Sequence, residues 1–305
     1  MVTRHDHEVS PFELPRTLVE SLAASYPNRD ELRAWIGDLP RLVAGAATRW
    51  SLRIDAPFQP GGAASYVAGA RTAEGSAVVL KLGWLHDEAL HEVDALALWS
   101  GDGAVRLLDA ELQEHTSVML LEACRPGTRL EDSSLTPVEQ DTVLADLLPR
   151  LWIEPPAGHP FRPLEEMCCS WADRFGERRG ECPLDPGLAA VGAALFRSLP
   201  SSAARSTLLC TDIHPGNILA SQREPWLAID PKPYVGDPTY DGLQYLLNFP
   251  ERLEADPLAF ADRIAGLLEL DVERLRRWLF ARCVVESSDT PALARTARAL
   301  ACKAC

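Results

Sequence analysis

No stretch of this 305-residue chain approaches the run of about 20 apolar residues that a membrane-spanning helix needs. The first residues, Met1 to Phe12, are charged and polar and hold no apolar core, so no secretory signal is read and a cytoplasmic, reduced protein is expected. Positive charge is scarce: 30 Lys and Arg stand against 44 Asp and Glu, a net charge of -14. That balance argues against nucleic acid or an anionic membrane as the main partner, since both would repel the chain, and it is compatible with a cationic small molecule. The eight cysteines are scattered through a long chain, unlike the dense spacing of a disulfide scaffold. Cys302 and Cys305 form a C-x-x-C with no second pair at zinc spacing, and read as a terminal tail. The phosphate loop G-x-x-x-x-G-K-[ST] is missing, and no G-x-G-x-x-G follows a strand and opens a helix, which disfavours a dinucleotide fold. Internal repeats and low-complexity segments are also lacking.

What is present changes character along the chain. Residues from about Leu14 to Ala47 carry apolar positions at helical spacing, with a break at Pro27-Asn28. From Trp50 the period shortens: Trp50, Leu52 and Ile54 alternate as in a strand, and further strands are predicted at Tyr66 to Ala70, Ala77 to Leu82, Val105 to Leu108 and Ser117 to Glu122. A helix from Asp87 to Trp99 interrupts them. After Pro126-Gly127 helical patterns dominate, at about Pro137 to Trp152, Leu164 to Arg178, Pro186 to Ser198, Tyr240 to Leu247, Pro257 to Leu268, Val272 to Val285 and Ala292 to Ala301. A β-rich first part and an α-rich second part predict an α+β protein of two lobes. The expected division is a helical extension at 1–49, an antiparallel-sheet lobe at 50–122 and a mainly helical lobe at 123–305.

The segment with the most chemistry is Leu209-Cys210-Thr211-Asp212-Ile213-His214-Pro215-Gly216-Asn217, followed by Trp226-Leu227-Ala228-Ile229-Asp230. An aspartate five residues before an asparagine, then an aspartate after a short apolar run, is the order in which kinase-like phosphotransferases place a catalytic carboxylate and two magnesium ligands. Asp212 is the candidate to orient a substrate hydroxyl and take its proton. Asn217 offers an amide oxygen and Asp230 a carboxylate, ligands suited to a hard cation that already carries phosphate oxygens. Taken singly, these three read equally as an Asx-turn, a turn residue and a cap before Pro231. Lys81, inside the apolar run Ala77 to Leu82, meets either a phosphate or, as an edge lysine, solvent. Glu92, with Glu88 as competitor, could pair with it. Gly61, Gly62 and Ser65 lie in a turn whose small residues admit phosphate oxygens to backbone N–H groups, although an ordinary hairpin turn has the same composition.

These residues resemble the aminoglycoside phosphotransferase family, within it the branch of streptomycin 6-phosphotransferases and hydroxyurea phosphotransferases. The resemblance rests on Asp212 to Leu219, on Ile229-Asp230-Pro231-Lys232-Pro233 with Gly236-Asp237-Pro238 and Asp241, on Lys81 and Glu92, and on Met119 to Glu122. It covers about Trp50 to Ser288. It implies a protein-kinase-like fold using ATP and Mg, with adenine on the backbone of Glu122 to Cys124 and phosphates at Lys81. Asp212 would be the catalytic residue, Asn217 and Asp230 the metal ligands, and Asp241 and His214 supports of the loop. Cys210 stands where many members carry His. The implied reaction is phosphorylation of a hydroxyl on a small acceptor such as streptomycin, by a monomer or homodimer. Asp237 is a candidate for a negative acceptor pocket and Trp171 an aromatic one, with core packing the competing role for Trp171. The alternatives are a kinase of hydroxyurea or another small metabolite, and a catalytically silent nucleotide-binding module.

Overall fold

The computed structural model describes residues 12–21, 29–86 and 89–304. The readings at Pro27-Asn28, Glu88 and the terminal C-x-x-C lie outside the described residues and side chains. The chain divides into two compact units, Met1–Ala89 with Arg106–Ala123, and Leu90–Val105 with Cys124–Cys305.

The first unit opens with helices α1 (Arg16–Ser21) and α2 (Arg29–Arg49), followed by strands β1 (Arg53–Pro57), β2 (Ser65–Arg71) and β3 (Ala77–Trp84). Helix α3 (Glu92–Trp99) falls in the second unit, and β4 (Leu107–Gln113) and β5 (Thr116–Glu122) return to the first. The sheet runs β1-β2-β3-β5-β4, with every neighbouring pair antiparallel. Alternation along β2 buries Tyr66, Ala68 and Ala70, as period-two side chains require. Leu18 of α1 and Leu32, Trp35 and Leu39 of α2 share one core with Tyr66, Leu80 and Leu82 of the sheet. The Trp35 indole donates to Thr116 Oγ1 at 3.0 Å. The helical extension is therefore part of the sheet's own core. Helix α3 begins at Glu92, directly after His91 in a left-handed conformation (φ 68°), and the expected start at Asp87 lies outside the described residues.

The second unit is mainly helical: α4 (Pro137–Leu151), α5 (Leu164–Glu177), α6 (Pro186–Ser198), α7 (Thr239–Leu247), α8 (Pro250–Ala255), α9 (Pro257–Leu267), α10 (Val272–Val285) and α11 (Leu293–Ala304). Several starts are written locally. Thr136 and Glu139 form a capping box before Pro137, and Asp185, Asp256 and Asp271 cap α6, α9 and α10. Short strands lie among the helices: β6 (Arg162–Pro163), β7 (Thr207–Leu209), β8 (Ile218–Ala220), β9 (Trp226–Ala228) and β10 (Tyr234–Gly236). Strand β10 pairs parallel with β6 and antiparallel with β7, and β8 with β9 makes a hairpin.

A polar knot ties the helices that carry the loop. The buried carboxylate of Asp141 on α4 accepts from Tyr245 on α7 (2.8 Å), both terminal nitrogens of Arg252 on α8 (2.8 Å each) and Arg263 Nε on α9 (2.6 Å). Burial pushes this carboxyl up, but those hydrogen bonds outweigh it and hold it below the usual carboxylate range.

Candidate active site

Strand β7 delivers the chain into a loop whose backbone is bound to Asp241 on α7. Cys210 N–H donates to Asp241 Oδ2 at 3.1 Å, and Thr211 N–H to Oδ1 at 2.7 Å. The Trp152 indole donates to Oδ2 at 2.9 Å. Asp241 is fully buried, and that burial lifts its carboxyl to about 6 while the three donors pull it down. Thr211 sits at φ 50°, a conformation costly for a residue with a Cβ, and its bond to Asp241 holds it there. The loop is also tied to the segment after β9. Lys232 N–H donates to Cys210 C=O at 2.9 Å, and Thr211 Oγ1 donates to Lys232 C=O.

These bonds set the position of Asp212. Lys232 Nζ lies 3.1 Å from its Oδ2, and Gln244 Nε2 of α7 donates to its Oδ1 at 3.4 Å. The Asp212 side chain keeps 17% of its surface exposed, so the carboxylate is steadied without being sealed off. His214 Nδ1 accepts from Gly216 N–H at 3.1 Å and closes the tight turn Pro215–Asn217. Asn217 Nδ2 donates to Asp212 C=O at 3.1 Å, which turns its amide oxygen away from that carbonyl. Asn217 C=O accepts from Ile229 N–H at 2.9 Å, continuing the β8–β9 pairing of Ile218 with Ala228. Asp230 follows directly, at φ 52°. The hairpin thus brings an amide and a carboxylate to the same end. That donor set, one neutral oxygen and one anionic, fits a cation such as Mg²⁺ that retains water and phosphate ligands.

The Cys210 thiol faces the backbone N–H of Asp212. The side chain is fully buried, and burial, with Asp241, Asp212 and Asp230 adding to it, pushes the thiol well above its ordinary value. The backbone of residue 210 braces the loop through its bonds to Asp241 and Lys232.

In the first unit, Lys81 is buried on β3 and pairs in register with Val67 on one side and Met119 on the other. A central strand excludes the edge-lysine reading. Glu122 ends β5, and its carboxylate accepts from Arg106 N–H at 2.8 Å. Gly61 (φ +81°) and Gly62 lie in the β1–β2 turn, and Ser65 opens β2. In the second unit, Glu92 is buried in the first turn of α3, and Cys124 is half-buried and outside any disulfide.

Two acceptor-site expectations need correcting. Asp237 is buried, and both oxygens are committed: Oδ2 accepts from Arg274 Nε and Trp278 Nε1 at 2.6 Å each, and Oδ1 from Thr239 N–H at 3.0 Å. It joins α7 to α10 rather than offering charge to a ligand. Trp171 stacks on Phe196 (6.4 Å between centroids, 23°) and carries the Arg282 guanidinium 4.2 Å from its ring centre, so it packs α5 against α6 and α10. Lys232, Gln244 and Trp152 are the site neighbours that sequence reasoning missed. Lys232 alone had a signal, a cation held between Pro231 and Pro233 just after Asp230. A concavity of about 870 Å³ within the second unit is lined by Trp152, Arg205, Asp237 and Arg274, and by none of Asp212, Asn217 or Asp230.

Residues 49–290 match the sequence model of the aminoglycoside/hydroxyurea antibiotic resistance kinases. The chain belongs to that family. It is 37% identical to a streptomycin 6-kinase of Streptomyces griseus over 86% of this chain and 87% of that protein. It is equally 37% identical to a hydroxyurea phosphotransferase of Kitasatospora aureofaciens, over 83% of this chain and 73% of that one. Among solved structures, the choline kinase LicA of Streptococcus pneumoniae aligns with a TM-score of 0.58 at 14% identity, covering 87% and 99% of the two chains. The aminoglycoside phosphotransferase APH(3'')-Id of Streptomyces rimosus, solved with ADP and streptomycin, aligns with a TM-score of 0.53 at 18% identity, covering 84% and 98%. The fold is therefore the expected protein-kinase-like one, and this family member is a small-molecule kinase. Among the described residues no helix is long and apolar enough to cross a membrane.

Proposed function

We propose that this kinase transfers the γ-phosphoryl group of ATP to a hydroxyl of a cationic aminoglycoside-type acceptor, with streptomycin the first candidate. The observation that carries the reading is the hold on Asp212: a carboxylate fixed by Lys232 and Gln244, on a loop whose asparagine and following aspartate can take a cation. Asp212 accepts the hydrogen bond of the incoming hydroxyl, aligns it and receives its proton as the new oxygen–phosphorus bond forms. Lys232 keeps that carboxylate in place and close to the transferring charge. Asn217 and Asp230 would hold Mg²⁺, Lys81 the phosphates with Glu92 fixing it, and Gly61, Gly62 and Ser65 the phosphate cover, with adenine on the backbone of Glu122 to Cys124. Bound together, ATP and Mg²⁺ supply the phosphoryl group and neutralise charge on its oxygens. The rate enhancement rests on positioning and electrostatics.

The acceptor reading is supported by the identity to a streptomycin 6-kinase across most of both chains and by the net charge of -14. The equal identity to a hydroxyurea phosphotransferase supports hydroxyurea as the second candidate. ATP consumption measured against streptomycin, other aminoglycosides and hydroxyurea decides between them. Turnover with streptomycin is expected; turnover with hydroxyurea alone moves the acceptor class, and ATP binding without turnover on any acceptor leaves a silent module.

Lys232 gives a separate test. Lys232→Met is expected to lower kcat about 10- to 100-fold, the range for losing one charge-assisted bond, with nucleotide affinity within about threefold. Unchanged kcat removes Lys232 from the site.

A further inference from the structure

The glycine turn of the first unit is gripped by chain that lies ahead of the residues matched by the family. That match begins at residue 49, yet Thr17 N–H donates to Pro60 C=O at 2.9 Å and Arg16 N–H to Gln59 Oε1 at 3.0 Å. In return Gln59 Nε2 donates to Glu13 Oε1 at 3.2 Å and Leu14 C=O at 3.3 Å. Pro15 is buried on the turn: a Cβ added to Gly61 would lie 2.4 Å from the Pro15 Cβ. The segment has its own anchors. Leu18 is wholly buried in the shared core, and the Phe12 ring stacks on Tyr66 at 5.3 Å, one residue past Ser65.

A turn with two adjacent glycines, one at φ +81°, loses much conformational freedom when it is ordered. Its ends are held by Phe58 N–H on Val67 C=O (2.8 Å) and Trp84 N–H on Ala64 C=O (2.9 Å). Between those ends, four hydrogen bonds and a proline ring come from the preceding segment. We infer that residues Glu13 to Thr17 form a latch that holds the glycine turn in the shape that receives nucleotide phosphates. The inference rests on the reading of that turn as the phosphate cover. Gln59, Pro15 and their neighbours are positioning residues: they act on ATP through the turn and touch no reacting atom. A looser turn populates the receiving shape less often, and apparent affinity falls by that fraction.

The test uses the full chain with Gln59→Ala, which removes three of the four bonds and leaves Leu18 in place, and Pro15→Gly, which removes the ring. Nucleotide binding is measured by calorimetry, KM for ATP and for the acceptor by steady-state kinetics, and exchange of the amides at 58–66 by mass spectrometry. Each variant is expected to raise the Kd and KM for ATP about five- to tenfold and to speed exchange at the turn. Values of kcat and acceptor KM are expected within about twofold of the parent, a split that general loosening of the fold would not produce. Equal ATP affinity and equal exchange in parent and variants overturn the latch. So does a fall in kcat that tracks a lowered melting temperature with KM for ATP unchanged. Failure of the parent chain to bind ATP overturns the proposed function itself, whereas binding that the variants do not weaken overturns the latch alone.

Discussion

Asp212→Asn is expected to lower kcat by at least about 10²-fold while ATP binds with near-parent affinity. The substitution keeps the shape and one oxygen, so the 3.1 Å approach of Lys232 and the carbonyl bond from Asn217 to residue 212 can persist. What it removes is the charge that orients a hydroxyl and the basicity that takes its proton. The measurement is steady-state turnover with whichever acceptor the ATP-consumption assay selects, alongside calorimetric ATP binding. Turnover near the parent value would strip Asp212 of its role, and loss of ATP binding would reassign it to the nucleotide side.

The second large effect concerns stability. Asp241→Ala leaves two backbone N–H groups and one indole N–H without their acceptor in a fully buried place. At about 1–3 kcal/mol for each orphaned donor, partly relieved by relaxation, the loss is expected to reach about 3–5 kcal/mol. Activity should fall with it, since the same bonds shape the loop that carries Asp212. Chemical denaturation of parent and variant reads the difference; a change below about 1 kcal/mol would mean the donors find other partners. The carboxyl also gives a pH signature. Its folded value of about 6 lies above the unfolded value of about 3.9. Its contribution to stability is therefore fully present below about pH 4 and is lost as pH rises through about 6. The parent-minus-variant stability should decline across that window.

How much of this could be read beforehand follows from the range of each interaction. Strand β2 announces itself because period-two burial is local, β3 and β5 show instead as short apolar runs buried almost throughout, and the fold class follows from the order of strands and helices. Strands β6 and β10, two and three residues long, are too short to show a period. The spacing of Asp212, Asn217 and Asp230 is visible as a string, since one short loop and one hairpin bring them together. The Asp241 bonds span 30 and 31 residues, and the one from Trp152 spans 89, so no local pattern reports them. Asp237 misled for the same reason. An acidic residue in a Gly-Asp-Pro turn looks available to a ligand until Arg274 and Trp278 arrive from α10.

The ties between residues 210–211 and 232, and between 217 and 229, fasten Asp212 and the hairpin that carries Asn217 and leads to Asp230 to a single frame. Their mutual distance is then a property of the folded chain and not of whichever guest arrives. The disorder that would otherwise be lost at every turnover is lost once, when the chain folds.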